Sequence, residues 1–349
     1  MTFTPQRIET ARLTQNVWTS GPEDGTPLLL VHGNLSSGGF WKYTAAEFGD
    51  DVRVIAPDLR GYGDTDAEPI DATRGLGAMA DDLHALLEAL GLAGQQRVNS
   101  AGWSMGAGVL QQMMLEYPDD LASVTLIAPL SPYGFGGTRG ANGEPCTPDA
   151  AACGAAGANA AFIQRLAAKD ASDEDPQTSP RIMMRTFYGG GENAANIDED
   201  FLTDELLKTR TGDDFYPGTA VPSETWPGLA TGEKGVLNTM SPKYYNASGI
   251  VDLERKPAVV WIHGSEDKVV ADGSLFDLAT LGQMGAVPGW PGEDVLPPQP
   301  MVRQTRAVLD AYRANGGAVT EVALQGADHG IPLALPGRVA QEITAVLVR

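Results

Sequence analysis

Cysteine, histidine and basic side chains are all scarce in this chain, and each shortage excludes something. Its 349 residues hold two cysteines, Cys146 and Cys153, both in one Gly/Ala-rich stretch. That excludes a disulfide-built scaffold and leaves at most one loop-stapling bridge. No histidine lies near the pair, so no metal site is expected there, and no cofactor is expected either. Lys and Arg total 24 against 45 Asp and Glu, a formal net charge of -21. A field of that sign repels nucleic acid and anionic membrane surfaces, and the expected partner is a neutral or cationic small molecule. The acidic residues are spread along the chain, which reads first as a solubility surface. No apolar run approaches the ~20 residues of a membrane span. The opening residues, Met1 to Arg7, lack a basic segment followed by an apolar one, so the cytoplasm is the expected location. Oligomeric state is not legible.

What is present is concentrated in Gly102-Trp103-Ser104-Met105-Gly106. Residues 95 to 101 upstream suit a short strand, although Asn99 and Ser100 are polar for a central one. Downstream, Val109, Leu110, Met113, Met114 and Tyr117 recur at helical spacing. A serine on so sharp a strand-to-helix turn has its hydroxyl lifted out of the sheet, and the crossing leaves no room for bulk two positions either side. Gly102 and Gly106 meet that demand.

Strands and helices alternate over residues 1–130 and resume over 245–349. Apolar runs at Leu28–Val31, Val52–Ala56, Val124–Ala128, Ala258–Ile262 and Val319–Leu324 predict buried strands. The spacing predicts helices near 79–90, 300–315 and from 337. The fold class is therefore α/β, a mostly parallel central sheet flanked by helices. Residues 131–244 differ, being rich in Gly, Pro, Ala and acidic residues with helical fragments only, and read as an inserted, mainly helical lid. His32, Asp58, Ser104, Asp267 and His329 all follow predicted strand ends, where ligands of such sheets bind.

A serine hydroxyl needs a base within hydrogen-bond reach. Of four histidines, His84 falls mid-helix, His263 closes a strand and His32 shapes the loop before Asn34; His329 is left as the base. Asp267 follows a strong strand and suits the carboxylate that orients it, with Glu266 and Asp328 as competitors. The backbone N–H groups of Asn34 and Met105 are the expected oxyanion donors. Trp103, beside the nucleophile, is the expected substrate-binding residue.

His32-Gly33-Asn34, Asp58 to Gly63, the serine elbow, the Gly264 to Asp267 loop and the Gly326 to Gly330 loop together resemble the α/β-hydrolase fold, in the order Ser, Asp, His. The resemblance implies that Asp58 and Arg60 support loop architecture rather than chemistry. Haloalkane dehalogenases and epoxide hydrolases of this fold carry a carboxylate where Ser104 stands. A serine implies acyl transfer, and the expected enzyme is a carboxylic ester hydrolase acting on an ester or lactone. Carbon–carbon bond hydrolysis, cofactor-free perhydrolysis, a hydroxynitrile lyase and, last, a non-catalytic ligand-binding module are the alternatives.

Overall fold

The computed structural model describes residues 2–95, 98–189 and 197–348. Its eight-stranded sheet is built from β1 (Thr4–Glu9), β2 (Thr14–Ser20), β3 (Thr26–Val31), β4 (Val52–Pro57), β5 (Val98–Trp103), β6 (Leu121–Ile127), β7 (Ala258–Gly264) and β8 (Val319–Leu324). The spatial order is β1-β2-β4-β3-β5-β6-β7-β8. The two contacts of β2, with β1 and β4, are antiparallel, and every later pairing is parallel. β3, β5 and β6 are covered on both faces, which is why their apolar runs are continuous rather than alternating. The chain steps from β3 outward to β4, then back across β3 to β5. Such a reversal opens a crevice at the carboxyl ends of the two strands.

The predicted strands and helices are present with ends shifted by a few residues. Helices α1 (Gly77–Ala89) and α2 (Met105–Glu116) pack together beside β5, and α6 (Met301–Ala314) and α7 (Pro336–Thr344) close the later half. β5 begins at Val98, and residues 96 and 97 of the predicted strand lie outside the described residues.

Its polar pair has a physical reason. The Asn99 amide donates to the Val348 carbonyl (3.0 Å), while its Oδ1 accepts from the Val348 N–H (2.9 Å) and the Ser123 hydroxyl (2.8 Å). Ser100 donates to the Ser123 carbonyl at 2.9 Å. Both side chains are buried and satisfied, so neither carries the cost of an unpaired polar group.

The described residues of 131–244 add no strand to the main sheet. They hold α3 (Ala160–Ala167), α4 (Pro180–Phe187) and α5 (Glu199–Leu207), with Asn159, Ser179 and Asp198 capping their first turns. Short two-stranded ribbons accompany the helices, for example Ala220–Pro222 against Leu229–Thr231, so the segment is more mixed than its composition suggests.

Candidate active site

Ser104 links β5 to α2 with φ 59 and ψ −118, a backbone region that costs a non-glycine residue roughly 1–3 kcal/mol. The surroundings hold it there. Its N–H donates to Ile127 (2.9 Å), and its carbonyl accepts from Ala107, Gly108 and Leu130 at 3.1 to 3.3 Å. A Cβ on Gly102 would meet the Gly106 carbonyl oxygen at 2.5 Å, and one on Gly106 would meet those of Val31 and His32 at 2.3 and 2.4 Å. The crossing of β3, β5 and α2 therefore requires both glycines.

The imidazole arrives from the loop after β8. His329 is almost fully buried, and its Nδ1 lies 2.8 Å from Asp267 Oδ2. The other Asp267 oxygen accepts from the backbone of Val269 (2.7 Å) and Val270 (2.9 Å), which fixes the carboxylate in the loop after β7. That contact assigns the proton to Nδ1 and leaves Nε2 as the free acceptor. Nε2 is buried and makes no hydrogen bond, so it is not bonded to the Ser104 hydroxyl in this state. Catalytic hydrogen bonds of this kind often align only when substrate is bound. The competing carboxylates lie elsewhere. Glu266 is exposed and sits 3.5 Å from Lys268, while Asp328 accepts from Gly330 at 2.9 Å.

Asn34 and Met105 stand with Ser104 in the wall of one cavity of about 490 Å³. Met105 opens α2, where the helix dipole favours negative charge. The Asn34 side chain is engaged, its Oδ1 accepting from the Tyr62 hydroxyl at 2.6 Å. Behind the loop His32 is fully buried; its Nδ1 faces the Gly33 carbonyl at 2.7 Å, and its Nε2 accepts from Leu59 at 2.9 Å. Burial pushes its pKa down to about 4, so the ring is neutral. Asp58 accepts from Gly38, Asp64 and Asn16 at 2.8 to 2.9 Å, and burial lifts its carboxyl to about 6. Arg60 holds Asp82 through two contacts of 2.5 and 2.7 Å. His84 stacks on Tyr117 and bonds Asp120, and His263 stacks on Trp261 beside Glu321, so neither enters the cavity.

Trp103 is a correction. Its indole does not line the cavity; it is fully buried and donates to the His329 carbonyl at 2.9 Å. As the last residue of β5 its side chain stands off the sheet, where Tyr188 and His329 cover it. The cavity is lined instead by residues of two segments. Phe135, Phe162, Met183, Phe187, Tyr188, Tyr216 and Met240 come from 131–244; Val269, Val270, Leu275, Phe276, Asp277, Leu278 and Leu281 come from the excursion after β7, which carries no motif. Both cysteines are free thiols; Cys153 lines the cavity, and burial raises its pKa. No group of side chains suited to a metal occurs among the described residues.

A strained serine at a strand–helix crossing, an Asp–His pair from later strand ends, and an apolar cavity over them define an α/β enzyme architecture of the hydrolase type. The chain belongs to the alpha/beta hydrolase fold family, which it matches over residues 26–292. It is 34% identical over 100 residues to cis-3-alkyl-4-alkyloxetan-2-one decarboxylase of Xanthomonas campestris pv. campestris, covering 26% of this chain and 33% of that protein. It is 31% identical over 111 residues to human epoxide hydrolase 4, covering 32% and 30% respectively. These alignments thus span about a third of each curated relative. Among solved structures, it resembles a thermophilic esterase from Thermogutta terrifontis (TM-score 0.55, 20% identity, 98% and 97% of the two chains). An esterase from Rhodococcus sp. gives a TM-score of 0.56 at 19% identity, over 99% and 98%. No helix among the described residues is long and apolar enough to cross a membrane.

Proposed function

We propose that this hydrolase cleaves a carboxylic ester or lactone through an acyl-enzyme, with Ser104 as nucleophile, His329 as base and Asp267 as its orienting carboxylate. Ser104 attacks the carbonyl carbon while His329 Nε2 takes the hydroxyl proton. The oxyanion forms toward the N–H groups of Asn34 and Met105, and the same proton passes to the leaving oxygen. Water then repeats the sequence to free the acid. The carrying observation is the 2.8 Å Asp267–His329 contact, which leaves a buried, unpartnered Nε2, together with a strained serine facing the cavity. In this reading residues 131–244 act as the lid over an apolar acyl site.

A fluorophosphonate probe tests it directly. Wild-type protein labels and Ser104→Ala does not, and a panel of p-nitrophenyl esters of graded length with several lactones shows turnover. Absent labelling together with a flat panel would remove this reading.

A further inference from the structure

A tyrosine hydroxyl that reaches a cavity and is bonded to no protein group is a donor open to whatever fills that cavity. Two occur here. Tyr188 and Tyr216 are both buried and both line the cavity that holds Ser104, and neither hydroxyl hydrogen-bonds to another described residue. The rings themselves are firmly held. Tyr188 ends α4, its N–H donating to Met184 at 2.8 Å, and its ring lies 5.6 Å from His329 and 5.2 Å from Trp103. Tyr216 packs on Phe162 at 6.3 Å, with its N–H donating to Arg210 at 3.1 Å. Both phenols lie within electrostatic range of Tyr62, whose hydroxyl holds Asn34, and Tyr188 lies within range of Tyr216. Both phenols therefore belong to the wall that Ser104 and Asn34 share, with the Tyr188 ring beside His329.

The remaining polar groups of the wall are engaged or peripheral. Asn159 Oδ1 caps α3, the Cys153 thiol points to the Ala151 carbonyl, and Gln177 and Thr186 are exposed. The two oxygens of Asp277 accept from Ala279 (3.0 Å) and Gln299 (2.9 Å). Among the described residues no Lys, Arg or His lines the cavity, so none of them balances a negative charge there, and Asp277 opposes one.

We infer that Tyr188 and Tyr216 form a two-phenol subsite that binds an uncharged oxygen acceptor of the substrate, such as a ketone or ether oxygen, close to its scissile carbonyl. The inference rests on the acyl-transfer reading for the word scissile, and on the cavity alone for the subsite. Burial raises both phenol pKa values, so the two groups remain donors wherever the fold is intact. The substrate class is thereby narrowed from esters in general to oxygenated acyl esters and lactones.

Benzyl 3-oxobutanoate and benzyl butanoate differ by one ketone in place of a methylene. Titrated into Ser104→Ala protein by calorimetry, the oxo ester is expected to bind at least tenfold tighter. Adding Tyr188→Phe and Tyr216→Phe to that background is expected to reduce the preference to twofold or less while the butanoate affinity stays put. No preference with the phenols present, or an unchanged preference without them, overturns the subsite. Equal loss of both affinities in the Phe variants also overturns it, since that reports altered packing. Turnover is read separately with Ser104 in place; discrimination in binding without hydrolysis of either ester would sink the acyl-transfer reading and leave the subsite standing.

Discussion

Ser104 is held in a conformation that a free chain avoids and lines the cavity, and His329, the proposed base, is held by Asp267. His329→Ala and Ser104→Ala are each expected to lower kcat by roughly 10⁴-fold or more, because such groups act as a unit. Asp267→Asn is expected to cost about 10²–10⁴-fold, with no rescue from Glu266, which points to solvent beside Lys268. Steady-state kinetics on the best ester of the panel checks all three, and full activity in His329→Ala would identify the wrong base. His32 gives a pH prediction. Its folded pKa of about 4 lies below the ordinary 6.5, so in that window the unfolded chain binds a proton that the folded chain refuses. Stability therefore rises with pH across the window and is lost on acidification from about 6.5 toward 4, by up to about 3 kcal/mol from this ring. Protonation would also set an N–H against the Leu59 N–H. Denaturant midpoints at pH 7 and 4.5 should fall more in wild type than in His32→Gln, and an imidazole NMR titration near 6.5 would contradict the assignment.

At the scale of elements, the crossing of β5 and α2 over β3 is the most tightly specified part of the molecule. Gly106→Ala places a methyl 2.3 Å from the Val31 carbonyl oxygen and 2.4 Å from that of His32, both backbone atoms that cannot turn aside. A loss of about 3 kcal/mol or more, with most of the activity, is expected from chemical denaturation and kinetics. Gly273→Ala, with nothing within 4 Å, is the matched control and should stay within about 0.5 kcal/mol. This crossing was legible in the sequence because its requirements are local, in glycines two positions either side of the serine and an apolar strand before it. The strand ends carrying His32, Asp267 and His329 were legible for the same reason. Asn99 and Ser100 looked out of place because their partners, Val348 and Ser123, are remote in sequence. Trp103 was misassigned because adjacency to Ser104 says nothing about which neighbours cover a strand's last side chain. Tyr188 and Tyr216 are two of many aromatic residues in 131–244, one just past a helix and one in a short strand, and composition does not say which of them meet a cavity. The Leu275 to Leu281 wall carried no periodic signal at all.

The whole molecule sets the field in which a substrate arrives. With a net charge of -21 and no cationic side chain among the described residues that line the cavity, an anionic ester meets repulsion that salt screens and a neutral ester does not. Raising ionic strength from 0.02 to 0.5 M, as rough bounds, should increase kcat/KM for a hemisuccinate ester several-fold relative to its neutral methyl counterpart. A ratio insensitive to salt would mean that the acidic surface serves solubility alone. The two sides of the cavity also belong to different parts of the chain. The proposed triad and oxyanion residues follow strands of the sheet, whereas most of the apolar wall comes from 131–244 and from the run after β7. Reaction type and substrate choice can therefore be altered by separate sets of substitutions.

The Asn99–Val348 clasp makes the two extremities of this polypeptide unequal for anyone handling it. β1 is largely exposed at the sheet's border, so a purification handle or surface tether attached ahead of it loads only an outer strand. A graft placed after Val348 pulls instead on the backbone that Asn99 grips, four residues ahead of Trp103 on the strand that leads into Ser104. Immobilised or fused forms should be joined through the leading end if their catalytic behaviour is to represent the free protein.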